Sequence, residues 1–338
     1  MALHMPDSRL NGAERGLQHS FMKSPVFNGL LMLVAVAAAY WPIRGLPGQH
    51  ALRRATVPLQ VRAVELTPPQ GPLRLVGAWE LEAGDGRFGG LSALAIDRGR
   101  FLAVTDRGAA VRFDSPTIAR PEAELVDLRQ GPGLFGQKWG RDAESLAADA
   151  RGRGWWVGFE QNHSLWLYGP SFDQALASVH LKRTKWLNNR GAEGLLAEGD
   201  QLLVTAENGR DAIRVTTGSI ERLELNAASD VADAARAPDG TAWLLLRSKG
   251  LNGIEQSIAP LLRANDGYRV GPGWPVPKAM FDNFEGMAIE AGPNGSWRFW
   301  LISDDGHRIM ARTLMMALDW PAPHSKGPAT SAGPSNQP

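Results

Sequence analysis

The chain has 338 residues, enough for one large hydrophobic core or two small ones. Its 36 basic and 35 acidic residues give a net charge of +1, which argues against a binding surface for nucleic acid or another polyanion. There are no cysteines, so a disulfide framework and a thiolate metal site are both excluded. The 38 glycines and 23 prolines indicate many turns.

The N-terminus carries a candidate targeting segment. Residues 29–43 read GLLMLVAVAAAYWPI, which is shorter than the roughly 20 apolar residues that a transmembrane helix needs. The run is typical of a signal-peptide core, and Ala37–Ala39 offers a small-residue cleavage site. An uncleaved membrane anchor and a buried helix are the alternatives. We predict a leader over residues 1–43, with Met22 as the true start, and a domain that is periplasmic, secreted or anchored to the inner membrane.

The rest of the chain divides into three parts. Residues 44–71 are predicted to be a linker with room for a first strand. Residues 72–320 hold the main domain. Residues 321–338 are rich in proline, serine and glycine and are predicted to be a disordered tail.

Residues 72–320 contain five similar hairpin patterns, and their starts lie 40 to 52 residues apart. Each pattern is a short apolar strand, a turn rich in Gly, Asp or Asn, and a more hydrophobic strand. Such periods with only strands predict an all-β fold, a β-propeller of five or six four-stranded blades. A β-sandwich would not require repeats in register. The strand LRLVGAWEL, residues 73–81, would complete the last blade, so that N- and C-terminal strands close the ring. The five segments are LSALAIDRGRFLAVTD (91–106), ESLAADARGRGWWVGFE (144–160), EGLLAEGDQLLVTAE (193–207), DAARAPDGTAWLLLR (233–247) and EGMAIEAGPNGSWRFWLISD (285–304).

The hairpins predict a ring of acidic side chains. The first residue of strand one in a hairpin lies beside the last residue of strand two, so Glu193 and Glu207 should be neighbours. In a propeller the ends of all inner hairpins surround one end of the central channel, and eight carboxylates would converge there. So many like charges need compensation. The hairpins start at Ser92, Glu144, Glu193, Asp233 and Glu285 and end at Asp106, Glu160, Glu207, Arg247 and Asp304.

Two kinds of compensation are open. Salt bridges to interleaved cations would hold the blades together, through Arg107, Arg141, Arg190, Arg210, Arg247, Lys249 and Arg308. Alternatively, the carboxylates bind a hard cation, Ca²⁺ or else Mg²⁺, with amide oxygens such as those of Asn189 and Asn208. The predicted metal ligands are Asp106, Glu144, Glu193, Glu207, Glu285 and Asp304. A small anionic substrate would then be bound by Arg107, Arg190, Arg210, Lys249 and Arg308.

The blocks GGLSALAID, FLAVTDRG, RDAESLAA, NRGAEGLLA, LLVTAENG, DNFEGMAIE and WLISDDG resemble the phytase-like domain family, whose bacterial members are named for an esterase-like activity of phytase. The resemblance spans roughly residues 72–320. It implies a β-propeller, an extracytoplasmic location and hydrolase chemistry. The chain departs from the pattern at Ser92 in the first repeat and at Arg247 and Lys249 in the fourth. A site should therefore be acidic near repeats two, three and five and basic near repeat four.

Other catalytic arrangements are poorly supported. The segment GGLSAL lacks the second glycine of a nucleophile elbow and lies in a hairpin. His180 is expected to be structural, in an outer strand. His163 and His307 each follow an acidic strand end by three residues, so each is either a general acid–base or a surface-loop histidine. The predicted catalytic residues are Glu160, Glu193 and His307.

Three functions remain open at this point. The first is a metal-assisted hydrolase of phosphate or related anionic esters. The second is a lactonase or sugar-ester hydrolase with one metal. The third is a periplasmic binding or scaffold propeller without catalysis. In each case we expect a monomer that does not bind nucleic acid.

Overall fold

The computed structural model describes residues 54–133, 138–181, 184, 186, 190–250, 253–278, 283–307 and 311–321. The predicted leader, most of the predicted tail, Asn189 and Arg308 lie outside the described residues. Within them, no helix combines the length and the hydrophobicity that crossing a membrane requires.

The protein is an all-β propeller, as its repeats predict, and the described residues form five blades. In chain order, β1 (Arg54–Ala63) and β2 (Arg74–Ala83) come first. Blade one is β3 (Leu91–Asp97), β4 (Arg100–Thr105), β5 (Ala109–Phe113) and β6 (Glu122–Asp127). After the short helix α1 (Lys138–Arg141), blade two is β7 (Ala143–Ala148), β8 (Trp155–Phe159), β9 (Ser164–Tyr168) and β10 (Ala175–His180). Blade three is β11 (Ala192–Glu198), β12 (Gln201–Ala206), β13 (Asp211–Thr216) and β14 (Ser219–Asn226).

Blade four is β15 (Asp230–Arg236), β16 (Ala242–Gly250), β17 (Gly253–Ala264) and β18 (Gly267–Val270), with the short β19 (Trp274–Pro275) paired to β17. Blade five is β20 (Asn283–Ala291), a 3₁₀ turn (Pro293–Gly295), β21 (Trp297–Asp304) and β22 (Leu314–Trp320), and β2 is its fourth strand. The innermost strands β3, β7, β11, β15 and β20 each contact the next, and β20 contacts β3, which closes the ring.

The N-terminal strand closes the ring as predicted. Strand β2 pairs antiparallel with β22, so blade five combines both ends of the domain. Strand β1 then pairs with both β2 and β6, and it joins blades five and one into one nine-stranded sheet. The described residues provide no sixth blade: residues 57–63 belong to β1, and residues 253–275 provide β17, β18 and β19 of blade four.

Each inner hairpin contains a β-bulge near the start of its inner strand. In blade three, Ala192 pairs with Ala206 and Gly194 pairs with Thr205, so Glu193 is the extra residue. A bulge redirects the side chain of the extra residue, and bulges are over-represented next to active sites. The extra residues of the five hairpins are Ser92, Glu144, Glu193, Ala232 and Glu285.

The fourth hairpin corrects one prediction. Val231 pairs with Leu246 and Asp233 pairs with Leu245, so the bulge falls on Ala232 and Asp233 lies one position further along the strand. The Asp233 carboxylate is buried and accepts hydrogen bonds from the N–H groups of Ala234 (2.7 Å) and Met287 (2.6 Å). Asp233 therefore links blades four and five and does not join the acidic ring.

Candidate functional site

The hairpin ends bring five glutamates to one end of the channel, Glu144, Glu160, Glu193, Glu207 and Glu285, and we call this end the acidic mouth. One carboxylate oxygen from each of Glu160, Glu193 and Glu207 lies within 4.8 Å of the other two. The three residues come from the ends of β8, β11 and β12, and all three are buried. Glu193 and Glu207 are thus neighbours across one hairpin, and Glu160 joins them from the adjacent blade.

A second acidic group shares Glu160 with the first. Oxygens of Asp142, Glu144 and Glu160 also lie within 4.8 Å of one another, and all three residues are buried. Sequence reasoning missed Asp142, which precedes β7. The spacing Asp-x-Glu in RDAESLAA was the available signal, because residues two apart on an extended strand lie on the same face.

Arg247 provides the counter-charge on the opposite side of the mouth. Its Nη2 donates to Oε1 of Glu207 (2.7 Å) and its Nη1 donates to Oε1 of Glu285 (2.5 Å). Burial alone would lower the pKa of Arg247, but Glu285, Glu193 and Glu207 together raise it, so the guanidinium stays charged. Two further cations lie at the limit of contact with Glu207: Arg190 Nε is 3.8 Å from Oε2 and Lys249 Nζ is 3.9 Å from Oε1.

Glu193 is the exception in this network. It is 6% exposed, and no hydrogen bond or salt bridge from the described part of the chain reaches its carboxylate. Burial raises its pKa well above the ordinary value, and the negative charge of Glu160 raises it further, while Arg247 acts in the opposite direction. A buried carboxylate beside two others is costly when ionised, so this position favours either a proton or a bound cation.

The first and fifth repeats form a separate cluster. His307 Nε2 lies 3.5 Å from Asp106 Oδ1, and both residues are almost completely buried. Asp305 accepts hydrogen bonds from the N–H groups of Gly90 and His307 (both 2.9 Å) and from Thr313 Oγ1 (3.2 Å). Asp304 instead accepts the N–H of Gly306 in a turn (2.6 Å). Asp106, Asp304 and His307 are therefore not grouped with Glu160, Glu193 and Glu207.

The remaining predicted cations differ in accessibility. Arg107 is buried, whereas Arg210 is exposed. Arg190 and Arg210 line one pocket of about 440 Å³ beside Glu207, together with Asn208. Arg141 donates to the carbonyls of Pro132 (2.9 Å) and Arg129 (2.8 Å), and these two contacts are structural.

The sequence matches one known family. The family model described as "Phytase-like: Esterase-like activity of phytase" matches residues 86–307, more than half of the chain. The chain belongs to the phytase-like family. All five glutamates of the acidic mouth lie within the matched segment of this phytase-like propeller. No curated protein gives a significant match to the sequence.

Several solved structures share part of this architecture at low similarity. The glutaminyl cyclase of Myxococcus xanthus is 13% identical, with a TM-score of 0.45, over 75% of this chain and 99% of its own. The PQQ-bound aldose sugar dehydrogenase of Streptomyces coelicolor is 11% identical, with a TM-score of 0.43, over 77% and 98%. The hydrazine synthase of Kuenenia stuttgartiensis is 13% identical, with a TM-score of 0.37, over 63% and 56%. The family assignment therefore rests on the sequence match.

The other two described histidines of this phytase-like propeller differ in their distance from the mouth, since the backbone N–H of His163 donates to the carbonyl of Glu160 (3.1 Å). His163 packs edge-on against Trp186, with ring centroids 6.1 Å apart, and burial lowers its pKa. His180 is exposed on β10. It lines a cleft of about 750 Å³, and none of the mouth glutamates is among the described residues of its lining. This cleft and the clustered carboxylates therefore lie in different parts of the molecule. The acidic mouth is the candidate site because its carboxylates can bind a cation or transfer a proton.

Proposed function

We propose that this phytase-like propeller is an extracytoplasmic hydrolase of phosphate or related anionic esters, assisted by a divalent cation. Glu160, Glu193 and Glu207 would hold that cation. The observation that carries the proposal is the buried carboxylate of Glu193, which lies beside two further carboxylates and has no hydrogen-bonding partner among the described residues.

The donor set fits calcium better than a softer metal. It consists of carboxylate oxygens, which Ca²⁺ and Mg²⁺ prefer. One oxygen each from Glu160, Glu193 and Glu207 lies within 4.8 Å of the other two, so a single divalent ion could contact all three residues. Arg247 already offsets part of the charge of Glu207 and Glu285, and a divalent ion would supply positive charge beside Glu160 and Glu193.

The residues around the cation would then have separate roles in binding the substrate and transferring a proton. A bound divalent cation polarises an ester oxygen and lowers the pKa of its water. Arg190 and Lys249 extend from the rim beside Glu207, with side chains 44% and 61% exposed, and can bind the negative group of a substrate. Glu160, which both acidic groups share, would bind the cation through one carboxylate oxygen and accept a proton on the other. His307 is buried against Asp106, so it positions that carboxylate and does not contact a substrate.

A hydrolysis assay on the full chain tests the proposal. Release of phosphate from a panel of phosphomonoesters is measured after EDTA treatment and again with Ca²⁺ or Mg²⁺ added back. We expect calcium-dependent release that falls at least 100-fold in Glu193→Gln. The matched control is Glu255→Gln, which removes an exposed carboxylate paired with Lys278 on blade four.

The alternatives give different results in the same experiment. Calcium-dependent opening of lactones without phosphate release would indicate the lactonase or sugar-ester hydrolase. Calcium binding without turnover of either panel would indicate a binding or scaffold propeller. Equal phosphate release with and without EDTA would overturn the proposed role of the cation.

A further inference from the structure

Strand β10 is the outermost strand of blade two, and one of its edges is not covered by any other described strand. Elsewhere the outermost strands of neighbouring blades are joined. Strand β1 pairs with both β2 and β6, which links blades five and one, and β14 pairs with β18, which links blades three and four. The sheet of blade two has the order β10-β9-β8-β7, so it ends at β10. Within the described part of the chain, β10 is the one fourth strand that pairs on a single side.

The free edge of β10 lacks the residues that usually protect an edge strand. Charged side chains and proline commonly do so, but the sequence of β10, ALASVH, contains no proline, lysine, arginine or acidic residue. A bulge between Ala175 and Ala177 makes Leu176 the extra residue of the strand. Leu176 is 49% exposed, the highest value for a large apolar residue in the described ranges. An apolar edge of this kind indicates a strand partner beyond the described residues.

The described chain begins beside this strand. Arg54 is the first residue of β1, and its Nη2 donates to the carbonyl of Ser171 (2.9 Å) and to Oδ1 of Asp173 (3.0 Å). Both acceptors lie in the turn between β9 and β10, so the residues that precede Arg54 start next to Ala175. Ten extended residues reach about 33 Å, whereas the six residues of β10 span about 20 Å. The ten residues before Arg54 are thus long enough to reach β10 and follow it to its end.

We propose that residues 44–53 form an additional strand that pairs antiparallel with β10 and covers its free edge. The direction follows from the position of Arg54, because a segment that leaves Arg54 and follows β10 reaches Ala175 first and His180 last. Blade two would then be protected in the way that β1 protects blades five and one.

The composition of this segment, RGLPGQHALR, suits a covering strand. Arg44, Pro47 and Arg53 would lie on the new outer strand, where charged residues and a residue without an N–H discourage further pairing. Leu52 provides an apolar side chain that can pack on Leu176. The segment therefore carries the protective residues that β10 lacks.

The additional strand would also fix where the leader leaves the propeller. Just after β10, the N–H of Leu181 donates to the carbonyl of His163 (2.6 Å), and the N–H of His163 donates to the carbonyl of Glu160 (3.1 Å). Residue 44 would therefore lie at the end of blade two that carries Glu160. With the leader retained as an anchor, the acidic mouth would face the membrane. The pairing itself does not depend on the proposed ester hydrolysis.

Amide hydrogen exchange tests whether residues 44–53 cover β10. The full chain is compared with a variant in which these ten residues are replaced by five Gly-Ser repeats, which keep the length but form flexible coil. The amides of β10 should exchange at least tenfold faster in the variant, while those of β9 are unchanged. Equal exchange in the two proteins would overturn the proposal. Protection of β10 that rises with protein concentration would also overturn it, because a second copy would then be the partner.

Disulfide formation tests the direction of the pairing, since the chain has no cysteine of its own. A disulfide needs Cα atoms no more than about 7 Å apart. The pair Leu52→Cys with Leu176→Cys should cross-link within one chain, and so should Leu46→Cys with His180→Cys. The exchanged pairs, Leu52→Cys with His180→Cys and Leu46→Cys with Leu176→Cys, are the matched controls and should not. Cross-linking of the exchanged pairs alone, or of all four pairs equally, would contradict an antiparallel strand.

Discussion

The guanidinium of Arg247 donates a hydrogen bond of 2.7 Å to the carboxylate of Glu207. Arg247 occupies, in the fourth repeat, the position at which the other four repeats end in an acid. It also bonds Glu285 and is 5% exposed, so one buried cation serves two carboxylates. Glu193, on the other side of Glu207, receives no hydrogen bond or salt bridge from the described part of the chain. An external ion or a proton would therefore compensate its carboxylate.

Arg247→Gln should destabilise the protein strongly. Removing one partner of a buried ion pair leaves an uncompensated charge, which costs about 3–5 kcal/mol. Urea denaturation of the calcium-free protein would measure the loss, and calcium should restore part of it. Arg214→Gln breaks the exposed pair with Glu221 and should cost less than about 1 kcal/mol. Equal, small losses in both variants would show that Arg247 is not needed for charge balance.

Glu193 should make the stability of the calcium-free protein depend on pH. Its folded pKa is raised above the ordinary value of 4.5, so the folded state holds a proton that the unfolded state releases. Its contribution to stability is present below about pH 4.5 and is lost as the pH rises through the folded pKa. Glu193→Gln should remove this slope and be more stable than the wild type at pH 8 in EDTA. If the free energies of unfolding of the two proteins changed with pH in the same way, the raised pKa of Glu193 would be contradicted.

Gly90→Ala should disturb the first repeat through Asp106. Gly90 has φ +59, and an added Cβ would lie 2.3 Å from Asp106 Oδ1. The control is Gly99→Ala, which has φ +80 but nothing within 4 Å of the new Cβ. In both variants the positive φ strains the backbone of the new alanine by an amount of order 1–3 kcal/mol. Only Gly90→Ala adds a clash with Asp106. Thermal unfolding should show the larger loss for Gly90→Ala, and equal losses would argue against a fixed Asp106.

Removal of β1 should expose two strand edges. Without residues 54–63, the outer edges of β2 and β6 lose the strand that pairs with both. Exposed edges promote association. Size-exclusion chromatography of a chain starting at Val64 should show oligomers and a lowered melting temperature. A monomer with unchanged melting temperature would show that β1 is dispensable for closure.

The sequence predicts most of this fold because the repeat signal is local. Apolar strands, turn residues and acidic ends recur at regular spacing, and residues such as Glu193 and Glu207 can be placed side by side from hairpin geometry alone. Closure by residues 73–81 follows from the missing strand in the last repeat. Asp233 has the same spacing to Arg247 as Glu193 has to Glu207, and this spacing wrongly predicts Asp233 as the first residue of the hairpin. The five-residue loop between Arg236 and Ala242 shifts the strand pairing by one residue, so the bulge falls on Ala232.

Other features of the site depend on packing that a linear pattern does not carry. The bulges that redirect Glu144, Glu193 and Glu285 are irregularities of strand pairing and have no distinct sequence signal. Burial of His307 against Asp106 joins two residues that are 201 positions apart in the sequence. The contribution of Asp142 and Asp305 depends on the same long-range contacts.

Calcium binding by the full chain is the most direct test of the acidic mouth. After EDTA treatment, calorimetric titration with Ca²⁺ should show saturable binding with release of a proton, and Glu193→Gln should abolish it. Calcium at 100 times its dissociation constant should stabilise the wild type by about 2.7 kcal/mol, which thermal unfolding would detect. Absence of binding and of any thermal shift with Ca²⁺, Mg²⁺ and Mn²⁺ would contradict the account, and the carboxylates would then be balanced by arginines and protons alone.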